Sequence, residues 1–159
     1  MIVAFIGHRK IAFSQNLKDK LYQIIENLIV NENADIFLFG SKSEFDTLCY
    51  KVVSELKNVY PHISRTYVRA EYEYIDKSYM DYLLQSYEDT YFPQEVEGAG
   101  RLSYIKRNKI MIDKCSVLLV YFNETYQPKS KRGKTVSGTK TAVDYAKKKQ
   151  KQIINLFDI

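Results

Sequence analysis

Short apolar runs alternate along this 159-residue chain with stretches of helical periodicity, and that alternation leaves few folds open. Residues 2–6 form an unbroken apolar run ending at Gly7, as a strand buried on both faces would. Ser14 opens a stretch in which Leu17, Leu21, Ile24, Ile25 and Leu28 recur at three- and four-residue intervals, which predicts an amphipathic helix with Ser14 as N-cap. Residues 36–39 are a second strand, stopped by Gly40 and Ser41. Phe45, Leu48, Cys49, Val52, Val53 and Leu56 then mark a helix from Ser43 or Glu44 to the Tyr60-Pro61 step. A third strand falls at 63–68. Tyr79, Leu83, Leu84 and Tyr87 suggest a helix before a short extended piece at 90–92, and Leu102, Ile105, Ile110 and Met111 suggest another ending near Lys114. Residues 117–122 are a central strand, and a helix over 139–149 leads to a last strand at 153–157. Strands alternating with helices imply right-handed crossovers and a parallel sheet. The expected fold is one three-layer α/β domain over 1–159, Rossmann-like, with a mainly parallel five-stranded sheet in the order 3-2-1-4-5.

Composition narrows the function classes. An apolar content of 45% suffices for one core at this length. Only six residues precede Gly7-His8-Arg9, too few for a secretory leader, and no run reaches the roughly 20 apolar residues of a membrane helix, so a soluble cytoplasmic protein is expected. Cys49 and Cys115 lack metal-ligand spacing and read as buried hydrophobes, and with two histidines no metal site is expected. Much of the net charge of +5 lies at Lys129, Lys131, Arg132 and Lys134 and at Lys147, Lys148, Lys149 and Lys151. Such runs are commonly solvated faces, and they also suit phosphate or nucleic acid. Fourteen tyrosines, dense between Tyr72 and Tyr91, read as half-buried packing, with base stacking as the functional alternative.

The topology says where chemistry belongs. In an open parallel sheet whose order reverses beside the first strand, ligands lie beyond the strands' carboxyl ends at that switch point. The ends concerned carry Gly7-His8-Arg9, Gly40-Ser41-Lys42 and Tyr121-Phe122-Asn123. Gly7 suits a sharp turn, and His8 or Arg9 can face a ligand. Gly40 and Ser41 precede a helix whose N-terminal N–H groups attract anions. Asp46 on its first turn suits the helix dipole and equally a ribose hydroxyl; Glu44 reads as helix-start chemistry. Ser137-Gly138-Thr139 repeats this logic, since glycine permits close backbone approach and the flanking residues offer hydroxyls, although serine and threonine are also ordinary N-caps. The full G-x-G-x-x-G and G-x-x-x-x-G-K-[ST] spacings are missing, so neither a standard dinucleotide site nor a P-loop ATPase is supported.

Taken together, G-H-R at 7–9, F-G-S-x-S-E-F-D-T-L at 39–48, Y-P-H-I at 60–63, R-N-K-I-M-I-D at 107–113 and S-G-T-K-T-A-V-D-Y-A-K-K-K at 137–149 resemble the SLOG superfamily. The likeness is closest to its YpsA-like branch, found in low-G+C Gram-positive bacteria and their phages. It implies a Rossmann-like site for nucleotides or nucleotide-derived ligands and places Arg107 and Asn108 in it. SLOG relatives include the DprA/Smf DNA-processing proteins and the LOG phosphoribohydrolases, and they often pair through their helices, so nucleic acid and a homodimer are implied partners. LOG enzymes carry an arginine-and-methionine helix and a P-G-G-x-G-T-x-x-E turn. Arg107, Met111, Gly138 and Thr139 match, whereas the catalytic glutamate's position falls on Ala142 and Ser137 replaces a glycine of the closer branch. Alanine cannot serve as the acid, base or charge stabiliser that glycosidic chemistry needs. The expectation is a non-catalytic sensor or accessory protein that binds a nucleotide or ADP-ribose-like ligand, needing no further cofactor, with the basic segment at 129–134 as a cover over its phosphate. N-glycosidic hydrolysis or transfer on nucleotides and DprA-like nucleic-acid binding are the alternatives.

Overall fold

A computed structural model of the chain describes residues 1–70, 76–126 and 137–159, and between the last two only the backbone at 129–130 and 133–134. Strand β1 (Ile2–Gly7) is followed by α1 (Gln15–Glu32), β2 (Ile36–Phe39), α2 (Glu44–Val59), β3 (Ser64–Val68), α3 (Lys77–Ser86) and β4 (Asp89–Tyr91). Then come α4 (Ser103–Lys114), β5 (Val117–Tyr121), a small antiparallel pair β6 (Lys129–Ser130) and β7 (Gly133–Lys134), α5 (Gly138–Lys148) and β8 (Gln152–Asn155). The main sheet is parallel, in the order β4-β3-β2-β1-β5-β8.

The sheet therefore has six strands rather than the expected five. The expected order survives inside it, and the addition is β4, whose residues Asp89 to Tyr91 pair with Thr66 to Val68 at the edge. Three residues are too few to show a strand period, which is why the extended piece at 90–92 did not declare itself as a sheet member. The last strand stops at Asn155 instead of running to Phe157. The Asn155 side chain accepts the Phe157 N–H at 3.2 Å and turns the chain into a 3₁₀ turn at Leu156–Asp158.

Local chemistry explains the helix starts. Ser14 Oγ accepts the Leu17 N–H at 3.0 Å, Ser43 Oγ the Asp46 N–H at 3.0 Å and Asp76 Oδ1 the Tyr79 N–H at 2.8 Å, each relieving an orphan donor of the first turn. Alternation along β1 splits the core in two. Val3 and Phe5 face α1 and α2 with Leu21, Ile25, Phe45 and Leu56, while Ala4 and Ile6 face α4 and α5 with Met111, Ile112, Val143 and Ala146. Burying each large apolar side chain contributes about 1.5–3 kcal/mol before the entropy of ordering is set against it.

Helix α4 departs from its expected face. Leu102 is exposed and Ile105 and Ile110 are half-buried, whereas Arg107 is buried beside Met111 and Ile112. A cation is tolerated inside because its guanidinium reaches the sheet's carboxyl edge, where it finds partners. Among the described residues, no helix is long and apolar enough to cross a membrane. The side chains of the expected phosphate cover at 129–134 lie outside the described residues, as do Tyr72 and Tyr74 of the tyrosine-rich stretch.

Candidate functional site

A cavity of about 680 Å³ opens at the carboxyl edge of the sheet, and all eleven residues expected at a site line it. They arrive from separate segments: Gly7, His8 and Arg9 from the end of β1; Gly40, Ser41 and Asp46 from the turn and first helical turn after β2; Arg107 and Asn108 from α4; Ser137, Gly138 and Thr139 from the start of α5. Eight polar or charged residues are buried among those described, and six of them (His8, Ser43, Asp46, Arg107, Ser137 and Thr139) line this cavity. Burial of polar groups is costly, so their concentration at one place separates this edge from the rest of the fold.

Asp46 lies at the centre of the β2 wall. Its carboxylate is 3% exposed, and Oδ2 accepts hydrogen bonds from Ser41 Oγ at 2.5 Å and Ser43 Oγ at 2.6 Å. Oδ1 is buried without a hydrogen-bond partner. Burial pushes the carboxyl above its ordinary value, against the two serine hydroxyls and the charge of Arg107, which pull it down. An acceptor left unmatched in this way costs about 1–3 kcal/mol until something donates to it.

Arg107 spans the cavity floor. Nη1 donates to the Gly40 carbonyl, Nε donates to Asn108 Oδ1 at 3.0 Å, and the guanidinium lies 5.5 Å over the Tyr104 ring. This placement accounts for Gly40, where a Cβ would stand 2.7 Å from both Arg107 Cδ and Met111 Sδ. Gly7 is required for a similar reason, since a Cβ there would overlap the Phe45 ring. Gly138 is different: it lines the cavity, and no described atom lies within 4 Å of a Cβ built on it, so packing against the described residues does not demand a glycine.

His8 is 4% exposed, and its Nε2 accepts the Asn123 N–H at 2.9 Å. Its ring rests on Phe122 at 5.8 Å and Tyr126 at 4.5 Å. Burial holds it below the ordinary histidine value. Arg9 sits exposed at the rim, and its carbonyl accepts the Glu44 N–H at 2.9 Å. Ser137 starts α5 with a long cap to the Lys140 N–H at 3.4 Å, and its carbonyl accepts the Thr141 N–H at 3.0 Å.

The remaining described carboxylates lie outside the cavity lining. Glu44 takes Lys10 Nζ at 3.0 Å and the Ile11 N–H at 2.9 Å, tying the loop after β1 to α2. Asp113 accepts the Tyr145 hydroxyl, and Asp144 pairs with Lys140 on the outer face. Ala142 is buried in the core cluster beneath α5. Both cysteines are buried thiols, and among the described residues no group of three or more His, Cys, Asp or Glu could hold a metal ion.

Lys42, Ser43, Tyr67, Tyr104, Met111 and Tyr126 also line the cavity without having been expected there as ligand contacts. Tyr104 was within reach of sequence reasoning, because it stands three residues before Arg107 and shares its helix face. Tyr126 follows the end of β5 in an irregular turn and left no periodic signal. Fold and cavity define an α/β protein with a parallel sheet whose buried polar residues gather at the strands' carboxyl ends. In comparison with known proteins, no family model matches the chain, and no curated protein matches it significantly.

Proposed function

We propose that the chain is a SLOG-like, Rossmann-like protein that binds a nucleotide or nucleotide-derived ligand in this cavity without turning it over. The observation that carries the reading is the gathering of six of the eight described buried polar or charged residues around one space of nucleotide scale. Asp46 is among them, an acceptor of the kind that a sugar hydroxyl suits. The N-termini of α2 and α5 flank the same space and suit phosphate, as does the room beside Gly138. Tyr104 and Tyr126 offer aromatic faces for a base. Asp46 is the one carboxylate among the described lining residues, whereas glycosidic hydrolysis ordinarily employs two. With alanine at 142, the lining favours binding over cleavage.

Titration calorimetry of the full chain with AMP, NAD and ADP-ribose tests this. Saturable binding of at least one is expected, with no base released on chromatography. Folded protein that takes up none of them at millimolar concentration overturns the reading.

Nucleic-acid binding is favoured by a separate observation. Helices α4 and α5 carry seven basic side chains against two acidic ones, and Lys149 and Lys151 extend the run. The affinity of the same protein for single-stranded DNA at two salt concentrations decides it, because phosphate contacts give a steep salt dependence and their absence gives none.

A further inference from the structure

Tyr126 reaches the cavity on a short turn that is held together through one residue. The Tyr126 N–H donates to the Asn123 carbonyl at 3.0 Å, while the Thr125 N–H and hydroxyl donate to Asn123 Oδ1 at 3.0 and 2.8 Å. Asn123 is thus the hub of the turn, and its own N–H is spent on His8 Nε2 at 2.9 Å. Just before it, Phe122 is clamped at both backbone groups by the Asn155 side chain, at 3.0 and 2.9 Å. The strand end is therefore fixed by Asn155, and the turn beyond it by the imidazole.

A backbone N–H can only donate, so Nε2 must be the unprotonated nitrogen and the proton of neutral His8 must sit on Nδ1. Protonating Nε2 would set an N–H against the Asn123 N–H across the same 2.9 Å, replacing an attraction by a repulsion. The Tyr126 ring, 4.5 Å from the imidazole, would lose its support at the same moment.

We infer that His8 is a positioning residue whose neutral Nδ1–H form latches the turn at 123–126, so that acid releases Tyr126 from the cavity mouth and weakens ligand binding. This deepens the nucleotide-binding reading in its ligand arm, while the latch itself can be tested without a ligand. Arg9, Lys42, Asp46 and Arg107 line the space around His8, and Tyr121 and Tyr126 touch its ring. Both nearby arginines and Lys42 oppose a further positive charge, in the same direction as burial. Asp46 favours one, and it is the group that could mimic the effect.

The test uses the full ¹⁵N-labelled chain. Long-range ¹H–¹⁵N spectra at about pH 8 should show His8 protonated at Nδ1, with His62, the only other histidine, as the reference signal. As the pH falls to about 5, the Asn123 and Tyr126 amides should lose protection against exchange with the same midpoint as the His8 ring. ADP-ribose, whose pyrophosphate does not titrate in this range, should bind about tenfold more weakly at the acid end. In His8→Gln, whose side-chain oxygen can accept the Asn123 N–H without titrating, both steps should vanish. An Nε2–H tautomer, Asn123 and Tyr126 amides indifferent to the His8 titration, or an acid step that persists in His8→Gln overturns the latch, the last result assigning the step to Asp46. Should ADP-ribose bind at no pH, the nucleotide reading loses its support, and the wild-type tautomer and amide data still decide the latch.

Discussion

The two helical layers of this sheet are built to different specifications. On the α1/α2 side the core is bulky: Phe5, Phe37, Phe39 and Phe45 are all at most 1% exposed and pack with Leu21, Ile25, Leu28 and Leu56. Outside, α1 and α2 carry four basic and five acidic side chains, the sixth acidic one, Asp46, being buried at the cavity. On the α4/α5 side the core is thinner, with Ala4, Ala142 and Ala146 among its members, the buried face of α4 includes Arg107, and the outer surface is strongly basic. Bulk separates the two sides, whereas the buried polar groups of the cavity come from both, Ser43 and Asp46 from the start of α2 and Arg107, Ser137 and Thr139 from α4 and the start of α5. The first layer combines a bulky core with one wall of the cavity, and the second has a thinner core beside the other.

The largest effect should come from trimming the bulky side. Phe45→Ala removes a ring that is fully buried and pressed against Gly7, and should destabilise by about 3–5 kcal/mol in urea unfolding. Val143→Ala on the thin side should cost about 1–2 kcal/mol. Equal losses would show that the two layers are equally tight, and the contrast would fail.

Two of the cavity's three glycines sharpen the comparison. Gly40→Ala drives a methyl into Arg107 Cδ and Met111 Sδ at 2.7 Å, so it should cost about 1–3 kcal/mol and displace the arginine from the floor. Gly138→Ala meets open space and should change unfolding by no more than about 0.5 kcal/mol. If a ligand approaches the α5 backbone, that same silent substitution should weaken its binding about tenfold or more in calorimetry. A Gly138→Ala protein with unchanged affinity for a ligand that binds wild type would remove the α5 turn from the site.

These contrasts also show what the sequence could and could not reveal. Strand and helix positions were legible because the apolar periods are long and uninterrupted, as in α2, where Phe45, Leu48, Cys49, Val52, Val53 and Leu56 all prove buried. The convergence of the eleven site residues was legible too, since a parallel sheet brings its strand ends together regardless of side-chain detail. Edge strand β4 was not, because three residues carry no period. Nor was the buried side of α4: an arginine reads as surface until a carbonyl such as that of Gly40 is seen to receive it. The roles of His8 and Tyr126 depend on a bond across 115 residues of chain, which no local pattern encodes.

Charge differs between the two sides as much as bulk does. On the α2 side it is used internally. Glu88 binds Arg65 through the side chain at 3.0 and 2.8 Å and through the Arg65 N–H at 2.8 Å, and Lys57 adds a pair at 3.2 Å, joining α2, β3 and the start of β4. Burial would raise the Glu88 carboxyl, but these bonds outweigh it and bring it to about 2. A carboxyl depressed in the folded state stabilises fully above its ordinary value of 4.5 and loses that contribution as the pH falls from there towards about 2. The acid limb of a stability profile should therefore flatten in Glu88→Gln. Because the pair is partly solvent-screened, the wild-type loss assigned to it should be about 1 kcal/mol or less. Neutralising Lys147 and Lys148, which are exposed in the last turn of α5, to Gln should leave that limb where it is in wild type and lower overall stability by about 2 kcal/mol at most. An acid limb unchanged in Glu88→Gln, or shifted by the lysine neutralisations, would mean that charge holds the two layers alike.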